Sequence, residues 1–229
     1  MPRAAFAASP VFDGRRLPTA TGVVTLDFIA EALPPMLWAA GNTVWISAVG
    51  IALGLVLGVP IAVGCEARRA WALTYVSFFR GVPLLIQLML AYYALPFLGI
   101  DLPAWFAATA TLGLCCAAYM AEIIRGGFAL VQKGGLEAAR LLGLTPRQIL
   151  LRIRLPIAIQ AMRPAVINEA ILIVKASSLV SVVGILELTR SSQAIASSTF
   201  EPLPAYALCG AIYLAMNLLL TLLARGKAA

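Results

Sequence analysis

Two acids stand in otherwise apolar runs of this chain, Glu122 in "AYMAEIIRGG" and Glu169 in "INEAILIVKA". Glu122 is followed three residues on by Arg125, and Glu169 has Asn168 beside it and Lys175 six residues later. Carboxylates and amides of this kind can hold an ammonium or guanidinium group, or pair with a neighbouring cation. Catalysis asks for more: convergent acids, a nucleophile with its base, or a set of metal ligands. The chain has no histidine, which excludes His-based proton transfer and His-ligated zinc. Cys65, Cys115, Cys116 and Cys209 show no metal-ligand spacing and read as small core residues. The two acids are far apart in sequence, so recognition of a solute, rather than turnover, is the chemistry these residues suit.

Apolar segments must position those side chains. The 229 residues are 62% hydrophobic and 12% charged, a balance that points to an integral membrane protein. A span needs about 20 apolar residues, and five candidates run over 37–64, 83–98, 104–124, 164–185 and 205–224, with "WALTYVSFF" as an interfacial lead-in to the second. Ionisable residues within spans cost roughly 2.5–3.5 kcal/mol at mid-helix and are functional candidates. Counted from Pro164 at about 1.5 Å per residue, Glu169 lies about 8 Å and Lys175 about 16 Å into the fourth span. Asn168 and Lys175 share a face, with Glu169 about 100° around the helix. Glu169 and Asn168 therefore either face a solute or make interhelical contacts, Glu169 then pairing with Arg163 or Lys175. Lys175 reads first as a structural ion-pair or carbonyl-binding lysine, and Glu122–Arg125 as a local ion pair with gating as the other reading. Arg80, just before Pro83, marks a kinked entry to the second span. Gly50, Gly54 and Gly58 form a small-residue face for close helix packing, within the subunit or at a subunit interface.

Net charge is +7, but its placement argues against nucleic acid. Basic residues fall between spans one and two (Arg68, Arg69, Arg80), between three and four (Arg125, Lys133, Arg140, Arg147, Arg152, Arg154, Arg163), and after span five (Arg225, Lys227). Those regions share one side, which the positive-inside rule makes cytoplasmic. Arg3, Arg15 and Arg16 of the N-terminal tail pull the other way and are outweighed. The expectation is an all-α integral membrane protein with five spans, N-terminus out and C-terminus in. Residues 1–36 are a tail and lead-in, 37–224 the membrane domain with a loop over 126–163, and 225–229 a C-terminal tail.

That loop contains "EAARLLGLTPRQILLRIRLP". Gly143 stands where a first short helix ends. Thr145, Pro146 and Gln148 restart a second as N-cap, first helical position and capping-box partner. Leu141, Leu142, Leu144, Ile149, Leu150 and Ile153 offer apolar knobs, rimmed by Arg140, Arg147, Arg152 and Arg154. Physics alone leaves docking to a soluble partner and lying on anionic lipid equally open.

Glu137-Ala138-Ala139, then Gly143, then Ile153-Arg154-Leu155-Pro156, resembles the EAA signature of permease subunits of binding-protein-dependent ABC importers. "RGVPLLIQLMLAYYALP", "AYMAEIIRGGFALVQKGGLEAA" and "VKASSLVSVVGILELTRSSQAIASSTFEP" resemble the polar amino acid branch of that family, and the likeness runs over roughly residues 38–224. Val82, Gly135, Ala176, Ser177 and the short ending "LLARGKAA" depart from the branch's usual residues. The resemblance implies a type I importer fold in a bacterial inner membrane. It makes Glu137, Ala138, Ala139, Gly143, Ile153, Leu155 and Pro156 the coupling contact with an ATP-binding subunit. It further implies a second permease subunit, two ATP-binding subunits and a periplasmic solute-binding protein. This chain would bind no cofactor; no Gly-rich loop ending in Gly-Lys-Ser/Thr is present, so ATP and Mg belong to the partner. The implied cargo is a polar amino acid or an opine, with a purely scaffolding half-permease as the rival role.

Overall fold

The computed structural model describes residues 26–225. Among the described residues the regular structure is helical: α1 (Leu26–Glu66), α2 (Ala70–Gly81), α3 (Leu84–Met89), α4 (Ala104–Phe128), α5 (Lys133–Leu141), α6 (Pro146–Ile149), α7 (Leu155–Ala161), α8 (Arg163–Ala176), α9 (Leu188–Thr199) and α10 (Pro202–Arg225). Four segments are long and apolar enough to cross a membrane, and a fifth is α2 with the helix after it, a pair bent by 104°. The expected count of five holds with that broken helix taken as one span. Much of the tail expected over 1–36, with Arg3, Arg15 and Arg16, and the end with Lys227 lie outside the described residues. Two compact units divide the chain, one formed by residues up to Ile46 and from Val174 onward, the other by Ser47–Ile173.

In the first unit α1 begins at Leu26 rather than Leu37 and runs straight through Pro34 and Pro35. A proline inside a helix loses one backbone hydrogen bond and costs about 3 kcal/mol. Packing outweighs that here. Phe28, Ala32, Met36 and Ala40, four residues apart, bury one stripe against Leu188 and Ile195 of α9 and Ala205 and Cys209 of α10, and both prolines fall off the stripe. Glu187 ties the same unit together from within. Its carboxylate accepts from the N–H groups of Thr189 (2.9 Å) and Arg190 (2.7 Å), capping α9, and from the Tyr213 hydroxyl of α10 at 3.0 Å. Around it, the Leu188 N–H donates to the Thr43 hydroxyl at 3.1 Å and the Asn42 amide donates to the Leu186 carbonyl at 2.8 Å.

In the second unit the glycine face of α1 meets α4. A Cβ on Gly58 would lie 2.9 Å from the Met120 Cβ, and one on Gly54 would collide with the Cys116 side chain. The reverse fit occurs at Gly113, where a Cβ would lie 2.9 Å from that of Leu53. These glycines serve close packing within the subunit. Ile61, Ala62 and Cys65 of α1, Ala72 and Val76 of α2, Ala121, Ile124 and Phe128 of α4 and Ala158 of α7 complete the core.

The break between α2 and α3 is an extended Val82–Pro83 step, as the residue before a proline prefers. Breaking a helix frees carbonyls that lipid cannot satisfy. The buried Gln87 amide supplies the donors, giving hydrogen bonds to Phe79 O (2.9 Å) and Val82 O (2.7 Å). Two widened turns of π-helix, Leu90–Ala94 and Leu150–Arg154, precede Pro96 and Pro156. Each proline ring excludes the carbonyl four residues back, and a widened turn moves that carbonyl aside.

Candidate functional site

The loop of residues 133–161 is built by local chemistry. Helix α5 ends in a Schellman turn: Leu144 N–H donates to Ala139 O at 3.1 Å, Gly143 N–H to Arg140 O at 2.9 Å, and Gly143 takes φ +78°. At once Thr145 opens α6 with a capping box, its hydroxyl accepting from Gln148 N at 3.3 Å while Gln148 Oε1 accepts from Thr145 N at 2.8 Å. The tip between the two helices carries Leu141 and Leu142, 90% and 81% exposed. Large aliphatic side chains so bare, on a rigid capped turn, have the shape and chemistry to enter an apolar groove or layer.

The expected signature residues divide between the faces of this loop. Glu137, Ala138 and Gly143 are exposed, and so is Pro156, while Ile153 and Leu155 are half-buried. Ala139 is buried and fixes α5. Two expectations need correction. Ile149 is buried rather than presented as a knob. Arg154 does not join the exposed rim of Arg140, Arg147 and Arg152; it turns inward, its Nη2 2.5 Å from Glu66 Oε1 and its guanidinium 4.4 Å from the centre of the Phe128 ring. The loop's root is tight, since a Cβ on Gly127 of α4 would come within 2.8 Å of the Ala158 carbonyl oxygen.

A second cluster lies among the spans. Glu122 and Arg125 form the expected local pair, with Nε–Oε1 3.1 Å and Nη2–Oε2 2.7 Å. Arg80 joins it from α2, 3.8 Å from Glu122 and stacked 5.4 Å from the Tyr119 ring centre. Glu169 of α8 is buried, at 6% exposure, within range of the Arg80 charge. Asn168 beside it is exposed, and so is Lys175, seven residues along the helix. The structure therefore joins Glu122, Arg80 and Arg125 in one ion-pair cluster, buries Glu169, and leaves Asn168 and Lys175 exposed. Arg80 carries more than the kink-marking role the sequence suggests. A cavity of about 280 Å³ beside the broken helix, lined by residues such as Phe79, Leu90 and Leu114, is apolar and separate from these charges.

Sequence reasoning missed three residues: Gln87, Arg154 and Glu187. Gln87 had a signal, a glutamine four residues after Pro83 in a helix otherwise without polar groups. The other two act through partners remote in sequence.

The apolar spans and the helical segments between them, α5–α7 and α9, define a multi-pass helical membrane protein. Residues 50–226 match the family described as binding-protein-dependent transport system inner membrane component, and the chain belongs to that family. It is 36% identical over 203 residues to the nopaline transport system permease protein NocM of Agrobacterium fabrum, covering 82% of this chain and 84% of that one. Against the glutamine transport system permease protein GlnP of Escherichia coli it is 34% identical over 204 residues, covering 86% and 93%. A crystal structure of an amino acid ABC transporter with histidines superposes with a TM-score of 0.78 at 33% identity, over 89% of this chain and 97% of that one. The chain is thus a transporter permease subunit, not an enzyme, of the branch whose members carry amino acids and opines.

Proposed function

We propose that this chain is one half of the membrane pathway of an ATP-driven importer for a polar amino acid or an opine, and that residues 133–161 are its contact with the ATP-binding subunit. The observation that carries the reading is the bare Leu141–Leu142 tip on a doubly capped turn, with Glu137 exposed beside it. The partners are a second permease subunit, two ATP-binding subunits that hold ATP and Mg, and a periplasmic solute-binding protein. The loop's exposed Arg140, Arg147 and Arg152, with Arg68 and Arg69 after α1, support a reading with this side in the cytoplasm of a bacterial inner membrane, N-terminus out and C-terminus in. Closure of the ATP-binding pair would then draw the loops together and turn the pathway outward to receive substrate.

Glu169 and Asn168 are the candidate substrate contacts, with Arg80 at hand as the opposite charge. An amino acid presents both an ammonium and a carboxylate, and a site holding Glu169 and Arg80 offers one group to each. One observation favours a second reading, in which the partner permease holds the substrate: Glu169 is buried in this subunit, with Asn168 less so beside it.

The test is reconstitution with the ATP-binding and solute-binding partners and measurement of substrate-stimulated ATP hydrolysis across amino acids and opines. Stimulation by one ligand class, lost in Glu137→Lys and in Leu142→Asp, supports the coupling role. ATP hydrolysis indifferent to every ligand and to both changes refutes it. Glu169→Gln should abolish uptake of a cationic substrate without preventing assembly; normal uptake would move the substrate site to the partner.

A further inference from the structure

One guanidinium joins the loop to the ends of two spans. Glu66 is the last residue of α1 and Phe128 the last of α4, and Arg154 meets both, pairing its Nη2 with the Glu66 carboxylate and lying over the Phe128 ring. We propose that Arg154 is a positioning residue that transmits movement of the coupling loop to α1 and α4. The inference rests on the loop's being the contact with the ATP-binding subunit.

Three observations carry it. The first is the widened turn. Pro156 has no N–H and its ring excludes the Arg152 carbonyl, so Leu155 N–H reaches back five residues to Leu150 O. The turn holds one residue more than an α-turn, which rotates the succeeding residues by about 100° relative to a regular helix. Arg154 closes that turn and faces the bundle, while Arg152, two residues earlier, stays on the loop's outer side. The signature proline therefore has a mechanical consequence: it sets the direction of Arg154, which the resemblance does not count among the coupling contacts.

The second is the choice of side chain. A planar guanidinium can pair with a carboxylate in its plane and stack on a ring through its face; a lysine ammonium has no such plane. Its charge also lies against the C-terminal ends of α1 and α4, where exposed carbonyl dipoles favour a cation. Both spans are gripped at the end nearest the loop.

The third is that the arrangement is not tuned for stability alone. The Arg154 Nε is buried with no acceptor, and an ion pair that strands a buried donor is weak evidence for a stabilising role. Apolar contacts also hold the loop: Gly127 of α4 packs on Ala158, and Leu150 and Leu155 pack against the core that includes Ile61, Ala62 and Cys65 of α1. Those contacts are non-directional. Arg154 adds a charged, directional link to the last residue of α1, Glu66.

The experiment uses the whole transporter in proteoliposomes with its ATP-binding and solute-binding partners, and reads three quantities: co-purification of the ATP-binding subunit, ATP hydrolysis, and solute taken up per ATP hydrolysed. Arg154→Lys keeps the charge and loses the stacking plane. Glu66→Gln removes the acceptor's charge and leaves the loop sequence untouched. Both are expected to keep the ATP-binding subunit bound and to lower uptake per ATP by about tenfold, in the range of ordinary coupling free energies. The exchanged pair, Glu66→Arg with Arg154→Glu, should recover part of the loss. Normal uptake per ATP in Glu66→Gln overturns the proposal. So does an equal fall in uptake and in ATP hydrolysis, the pattern of a structural defect. Should Arg154→Lys release the ATP-binding subunit through misfolding of the loop, Glu66→Gln alone decides. Failure of the underlying reading looks different: Leu142→Asp would then leave the ATP-binding subunit in place.

Discussion

Adding one methyl group to each glycine of the α1 stripe should separate tight contact from mere helix preference. A methyl at Gly50 would meet the Leu112 Cβ at 3.4 Å, close to ordinary van der Waals contact. At Gly54 it would lie 2.7 Å from the Cys116 Cβ, with the sulfur nearer still. Carbon atoms rest about 3.5–4.0 Å apart, so accommodating alanine at Gly54 requires α1 and α4 to part by about 1 Å. Overpacking of this kind costs about 1–3 kcal/mol. Alanine offsets up to about 1 kcal/mol of that through its better helix propensity. The expected net effect is a loss of about 1–2 kcal/mol for Gly54→Ala, and no loss or a slight gain for Gly50→Ala. For a chain of this length each kcal/mol moves the melting midpoint by about 2–4 °C, so Gly54→Ala should melt about 2–8 °C lower. Gly58→Ala, with Met120 Cβ at 2.9 Å, should fall between the two. The assay is the surviving monodisperse fraction of the purified transporter on size-exclusion chromatography after heating. Pairing Gly54→Ala with Cys116→Gly should return most of the loss. Equal midpoints for Gly50→Ala and Gly54→Ala, or no rescue by Cys116→Gly, would refute the packing argument.

Gln87→Leu keeps the side chain's bulk, leaves the Val82 carbonyl without its donor and leaves the Phe79 carbonyl with only the weak Cys115 thiol. At about 1–3 kcal/mol for each buried unsatisfied group, the variant should lower the melting midpoint by several degrees, whereas Gln87→Asn should fail to reach and do no better. Glu187 makes stability depend on pH. Burial pushes its carboxyl above the ordinary value of 4.5, although the Thr189 and Arg190 N–H groups and the Tyr213 hydroxyl pull downward. A raised folded value means the stability it contributes is whole below 4.5 and is lost as pH rises through the folded value. Melting midpoints of Glu187→Gln should therefore vary less with pH just above 4.5 than those of the native chain; an unchanged slope would mean the carboxyl is not the titrating group.

Legibility in the sequence followed the distance over which each feature acts. The double-capped turn was readable because Gly143, Thr145, Pro146 and Gln148 act on their own neighbours, and each took its expected place. Glu122–Arg125 was readable for the same reason, as a pair three residues apart on one helix. The start of α1 was not, because Pro34–Pro35 is a local stop signal and the stripe from Phe28 to Ala40 that overrides it needs α9 and α10 as partners. Arg154 looked like one more basic residue on a basic loop; its inward turn depends on a widened helical turn that no propensity encodes and on Glu66, 88 residues away. Glu187 gave no local signal, because glutamate is an uncommon N-cap and its third partner, Tyr213, sits on another helix. The pairing of Arg80 with Glu122, two helices apart, needed the fold as well.

The hydrogen bonds from Asn42 and to Thr43 also set an order of events at the ribosome. Their partners, Leu186 and Leu188, lie 144 and 145 residues further along the chain. At translation rates of about 5–20 residues per second, α1 must wait about 7–30 s after emergence before those partners exist. Thr43 can pass that interval donating to the Ala39 carbonyl of its own helix, at 3.3 Å. Asn42 makes its bond to Leu186 only across that span of chain, so its amide needs water, a lipid headgroup or a chaperoning membrane protein until α9 is made. The N-terminal part of α1, made before the other described helices, is thus among the last of them to find its partners, and the turn at residues 186–188 completes it.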